Sequence, residues 1–303
     1  MTKKTVRQRR AKKRMPFTPE VDQELVCVPA PEPFESPASW LSRLALSQAA
    51  TVWAVLAHLK INLLGDIDIQ FAACDLDRVA RLCGLSVSNF SFMRYMFSQL
   101  QRIDISGEVY LLSHDNFARY RFCEKCLKEQ HTPHLPLHWR FKAWRWCPLH
   151  NCLMRDHCPR CKAILVLPID LLNAGRRRAG VAYLSSCAVC GLKLTSKPKV
   201  VRFEPIRNNL TLKEHLLLAN GRALLAALYH NEFGISSEPQ RYSLRGLHQL
   251  ERNGHLPHKI MHYEKFELME EPRYRHPVSN ELCGQSDQKR QLGRKRFNGG
   301  LFD

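Results

Sequence analysis

The chain has 303 residues, 45% of them apolar, and its 46 basic against 28 acidic side chains give a formal charge of +18. That length leaves room for about two ordinary cores, and no run approaches the roughly eighteen consecutive apolar residues of a membrane span. The excess of bases points to a nucleic acid or another polyanion as partner. The N-terminus lacks the apolar run of a signal peptide, so a reducing, cytoplasmic setting is expected.

The charge is unevenly placed. Residues 1–14 carry Lys3, Lys4, Arg7, Arg9, Arg10, Lys12, Lys13 and Arg14 with no acid. Two readings stand: a solvated tail, or a disordered arm making non-specific phosphate contacts. Lys289, Arg290, Arg294, Lys295 and Arg296 form a similar cluster near the C-terminus. Between the arm and residue 35, five prolines impose an extended lead-in. Ser36 then reads as an N-cap with Pro37 at the first helical position, and Trp40, Leu41, Leu44 and Ala45 recur at helical spacing as core. A second helix is expected over Thr51–Leu64, stopped by Gly65.

Residues 75–97 carry a helix-turn-helix pattern. Ala80 falls inside a first helix, Gly84 at the tight turn, and Leu85, Phe90 and Met93 at core positions of a second helix capped by Ser86. That helix would present Ser88, Asn89, Ser91 and Arg94 outward, to a DNA groove or to a protein. An ordinary pair of antiparallel helices has the same periodicity. Val109-Tyr110-Leu111-Leu112 is a strand candidate, running into Phe117–Phe122. The run Leu137–Trp146 mixes aromatics with bases. It reads first as the small core of a metal module and second as a base-stacking surface.

Seven of the twelve cysteines stand in four pair-like signatures: Cys123-x-x-Cys126, Cys147-x-x-His150, Cys158-x-x-Cys161 and Cys187-x-x-Cys190. A C-x-x-C knuckle aims two thiolates at one centre, and a second pair about fifteen to twenty residues later completes a tetrahedron around zinc. Here the intervals are 20 and 25 residues. The expectation is two structural zinc ions, one on Cys123, Cys126, Cys147 and His150, the other on Cys158, Cys161, Cys187 and Cys190. Sequence order leaves interleaving open, with Cys152 and His157 as the nearest intruders. Closed four-ligand sites have no position for water or substrate, so these ions hold the fold. The Cys158-Pro159-Arg160-Cys161 run resembles half a zinc-deaminase signature, but no H-x-E lies upstream of it. Catalysis has no visible constellation beyond a His131/His134/His138 cluster that fits no motif.

Arg176-Arg177-Arg178, between Gly175 and Gly180, reads as a basic fingertip suited to nucleic acid. Thr211–Tyr229 is a strongly apolar helix opened by a Thr211/Glu214 capping box, residues 243–253 form another short helix, and residues 271–303 are polar, basic and aperiodic. The expected fold is mainly α with small zinc-ribbon β elements. Its parts are an arm and lead-in over 1–30, a helix-turn-helix-like domain over 31–120, tandem zinc modules over 121–200, a short helical unit over 201–270 and a tail over 271–303.

Several unrelated motifs in one order carry a family resemblance: Glu35-Ser36-Pro37-x-x-Trp40-Leu41-x-Arg43-Leu44-Ala45, Arg121-Phe122-Cys123-x-x-Cys126-Leu127, Trp139-Arg140, Cys147-Pro148-x-His150 and Cys158-Pro159-x-Cys161. Together they resemble the TniQ/TnsD family of transposon target-selection proteins over residues 30–195. The resemblance implies helix-turn-helix and zinc-ribbon modules, with zinc on the eight positions above. It also implies a non-enzymatic adaptor between a target-bound complex and an AAA+ transposition ATPase. In RNA-guided systems it implies a homodimer docked on a CRISPR-Cas effector complex, near its guide RNA. The usual proline after Cys123 is absent, and the chain is shorter than members that read an attachment site in DNA themselves. That shortness favours the adaptor over a direct reader of DNA sequence or a transcription regulator.

Overall fold

The computed structural model describes residues 23–62, 65–174, 183–195, 224–234 and 241–246. Five helices come first: α1 (Pro37–Ser47), α2 (Val52–His58), α3 (Ile67–Phe71), α4 (Leu76–Leu82) and α5 (Ser88–Gln101). Local chemistry sets their starts. Ser36 Oγ accepts from Ser39 N with Pro37 in the first turn, Thr51 caps α2, and Asp75 caps α4. Trp40 lies fully buried at the centre, edge-on to Phe71 at 6.1 Å and to Phe90 at 4.8 Å, which ties α1, α3 and α5 into one core.

The rest of the described chain mixes short strands, loops and short helices. β1 (Ser113–His114), β2 (Phe117–Tyr120) and β5 (Leu165–Leu167) form an antiparallel sheet in the order β1-β2-β5. α6 (Glu124–Glu129), a 3-10 turn (Leu137–Arg140) and the two-residue strands β3 (Trp146–Cys147) and β4 (Cys152–Leu153) lie between β2 and β5. α7 (Leu171–Ala174) follows, then a helical stretch over 224–230 and a hairpin of β6 (Glu232–Gly234) and β7 (Arg241–Ser243). Side chains join the segments: Asp170 Oδ1 accepts from Val52 N at 2.6 Å, Ser42 Oγ from Ile169 N at 2.9 Å, and Tyr95 donates to the Tyr229 carbonyl at 2.7 Å.

Three expectations change. The second helix ends at His58, because Lys60 turns to φ 55°. Residues 109–112 form no strand, because Asp104 Oδ2 collects the N–H groups of Val109 and Tyr110 and curls the segment into a turn. Gly107 stands in that turn at φ 73°, where a Cβ would meet Ile69 Cδ1 at 2.4 Å. Residue 243 ends a strand paired to Glu232, so helix follows only over 244–246. Leu137–Trp146 resolves as core, with Trp139, Phe141, Trp144 and Trp146 all buried. The remainder of the 211–229 and 243–253 helices, with the Thr211/Glu214 box, and both basic tails lie outside the described residues.

Buried charge locks the helices onto the sheet. Arg140, fully buried in the 3-10 turn, holds Asp66 and Asp68 at the start of α3, the latter at 3.0 Å. Asp68 also accepts from Tyr120 of β2 and, at 2.7 Å, from Ala38 N of α1. Arg121 clamps the next loop, donating to the Phe141, Lys142 and Trp144 carbonyls at 3.0–3.2 Å.

Candidate metal centres

The first group is built from three local devices. Cys123 precedes α6, so Cys126 lies in its first turn; β3 carries Cys147; and the turn to β4, with Asn151 at φ 45°, carries His150. The donor atoms of Cys123, Cys126, Cys147 and His150 lie within 4.8 Å of one another. Geometry tests the fit. Zn–S bonds near 2.3 Å and Zn–N bonds near 2.0–2.1 Å imply tetrahedral edges of about 3.8 Å for S···S and about 3.6 Å for S···N. His150 Nδ1 stands 3.5, 3.2 and 3.6 Å from the sulfurs of Cys123, Cys126 and Cys147, and Cys126 stands 3.5 Å from Cys147. The residues fit a tetrahedral zinc ion.

The outer surroundings agree. Both oxygens of Glu129 lie 2.9 Å from His150 Nε2, so the proton sits on Nε2 and the Nδ1 lone pair faces the sulfurs. Hydrogen bonds from Cys126, then Cys147 and Cys152, draw the Cys123 thiol far below its ordinary range, and their bonds to Cys123 hold those three up. A divalent cation at the centre would hold Cys123, Cys126 and Cys147 as thiolates.

The second group joins two knuckles. Cys158 N donates to Ala163 O at 2.8 Å with Lys162 at φ 62°, and Cys187 N donates to Leu192 O at 2.8 Å with Gly191 at φ 69°. Cys158 and Cys190 sulfurs stand 3.6 Å apart, and those of Cys161 and Cys187 3.5 Å apart. Burial pushes the Cys187 thiol up to about 12. Neither group has interleaved with the other.

Residues 26–154 match the TniQ family model. The chain carries a TniQ domain. It is therefore a transposition-associated protein, and its first metal group lies inside the TniQ domain. Residues 155–199 match the GTF2H2 zinc ribbon domain model, which covers the second group. No curated protein matches the chain.

The remaining candidates are scattered. Ser88 and Arg94 are exposed on α5 and Asn89 is half-buried, but Ser91 is buried and donates to the Ser88 carbonyl at 2.6 Å, so it faces no partner. Ser86 Oγ accepts from Ser88 N at 3.3 Å, but it is not the N-cap: Val87 holds that position and α5 starts without a side-chain cap. Arg176-Arg177-Arg178, and Lys3, Lys4, Arg7, Arg9, Arg10, Lys12, Lys13 and Arg14, lie outside the described residues. Sequence reasoning missed Glu129 and the Arg140 network; the Trp139-Arg140 pair was their only trace.

Beside the TniQ domain's metal group lies a cavity of about 400 Å³ lined by Phe34, His138, Trp139, Trp144 and, at its lip, the exposed Leu149. Burial, reinforced by His134, holds the His138 imidazole down to about 3. The unfolded chain takes up this proton near pH 6.5 and the folded chain does not, so stability falls as pH drops from about 6.5 toward 3. By pH 5 the loss is about 2 kcal/mol. Replacing His138 by Phe is expected to remove that part of the decline, read as a smaller shift in denaturation midpoint between pH 7 and pH 5. Equal shifts in both proteins would contradict the assignment.

Proposed function

We propose that this TniQ-domain chain is a non-enzymatic adaptor that brings a target-bound complex, RNA-guided through a CRISPR-Cas effector, to an AAA+ transposition ATPase. In this reading two structural zinc ions hold the body of the protein, and it acts in the cytoplasm as a homodimer with guide RNA near its surface. No described helix is long and apolar enough to cross a membrane.

The observation that carries the reading is the charge on α5. Helices α4 and α5, joined through Gly84 at φ 61°, have the order of a helix-turn-helix, yet the second helix has a single basic side chain, Arg94. A helix that reads bases needs phosphate contacts beside it to fix its register. Exposed apolar side chains at Trp53, Leu149 and Leu153 suit a protein partner better than a phosphate backbone. The formal charge of +18 favours a second reading, a direct reader of an attachment site or a transcription regulator.

A competition titration at physiological salt separates the two, using duplex DNA from the element's own target region against scrambled duplex. Specific recognition exceeds non-specific binding by at least about a thousandfold. The adaptor is expected to show no such ratio with DNA alone, and to bind the effector complex and the ATPase tightly. A thousandfold ratio that vanishes with Asn89→Ala or Arg94→Ala would establish the direct reader.

A further inference from the structure

We infer that Cys152 is an alternative fourth ligand of the first metal group, interchangeable with His150, so that the site holds its ion through three thiolates and an imidazole or through four thiolates. The inference rests on the zinc reading above and goes beyond its eight ligands. Cys152 Sγ stands 3.7 Å from Cys123 Sγ, the edge expected of two sulfurs on one zinc ion. The four donors that lie within 4.8 Å of one another are Cys123, Cys126, Cys147 and His150, and Cys152 stands just outside them, against Cys123.

The hairpin explains how exchange can occur. Cys152 of β4 pairs directly with Cys147 of β3, and His150 occupies the turn between them. The two competing ligands are thus two residues apart on one short loop. Turning that loop swaps them while Cys123, Cys126 and Cys147 stay in place. Glu129 favours the imidazole by fixing its ring. Cys152 is a half-buried free thiol, available to enter. On entry it loses its thiol proton to solvent, the imidazole leaves with its Nδ1 lone pair, and no oxidant is needed. The centre's net charge changes from −1 to −2, the sum of a divalent ion and three or four thiolates.

The test is metal content and zinc X-ray absorption on the full chain and three variants. The unmodified chain is expected to hold two zinc ions. Fewer would overturn the zinc reading and this inference with it. With two present, His150→Ala and Cys152→Ser should each retain both ions, and the double variant should lose one. In His150→Ala the imidazole outer-shell scattering should disappear while the metal content holds, because the coordination changes from seven sulfurs and one nitrogen over two ions to eight sulfurs. Loss of one ion from either single variant would overturn the interchange and leave the zinc reading intact. So would retention of both ions by the double variant. Should the double variant fail to fold, the absorption spectra of the two soluble single variants still decide.

Discussion

Cys158→Ser is expected to cost this protein one of two zinc ions and, with it, the solubility of the chain. Structural zinc contributes an apparent binding free energy of roughly 10–16 kcal/mol in zinc-finger peptides at neutral pH. The whole net stability of a typical protein is only about 5–15 kcal/mol. Cys158 and Cys187 are buried and line one small cavity with Leu165 and Leu194, so the second group has little apolar core of its own to fall back on. The first group should respond alike to Cys123→Ser. Cys27→Ser is the control, since Cys27 is exposed and lies in neither group. Metal analysis and soluble yield check the result. A folded Cys158→Ser protein carrying two ions would contradict the ligand assignment.

Arg140→Met is expected to destabilise the fold by about 3–5 kcal/mol, the cost of removing one partner from a buried charge pair. Burial lowers the Arg140 guanidinium to about 9 and raises the Asp68 carboxyl to about 7, and the two buried groups face each other at 3.0 Å. The change leaves Asp68 fully buried with only Tyr120 and the Ala38 N–H as partners. Pairing Arg140→Met with Asp68→Leu should recover part of the loss, because it removes the unpaired buried carboxylate, while Asp66 and the Ala38 N–H still lose a partner. Chemical denaturation of the two single variants and the double variant measures the coupling. Strictly additive losses would show that Arg140 does not join α3 to the sheet through Asp68.

Much of this protein was legible because its signals are local. Ser36 and Pro37 announce α1 through bonds that close within three residues. The four knuckle pairs could be read because a C-x-x-C turn aims both sulfurs inward whatever surrounds it. The order of Ala80, Gly84, Phe90 and Met93 likewise fixes α4, its turn and α5, since helix periodicity and one positive φ suffice.

What the sequence could not decide depends on distance along the chain. Arg140 finds Asp66 and Asp68 more than seventy residues away, and nothing near Arg140 marks it as the buried arginine among so many bases. Ser91 looked outward on helical spacing, yet it is buried, because the apolar face of α5 spans Phe90 to Met93 in the tertiary packing. Cys152 and His157 were equal intruders by sequence. Only the β3–β4 register, by setting Cys152 opposite Cys147, brought one of them to the edge of a zinc tetrahedron. The sequence by itself determined the helix caps, the knuckles and the TniQ motifs, because each is closed by neighbours a few residues away. The tertiary structure alone decided which charges are buried and which donors gather at the first metal centre, because both follow from which distant segments pack together.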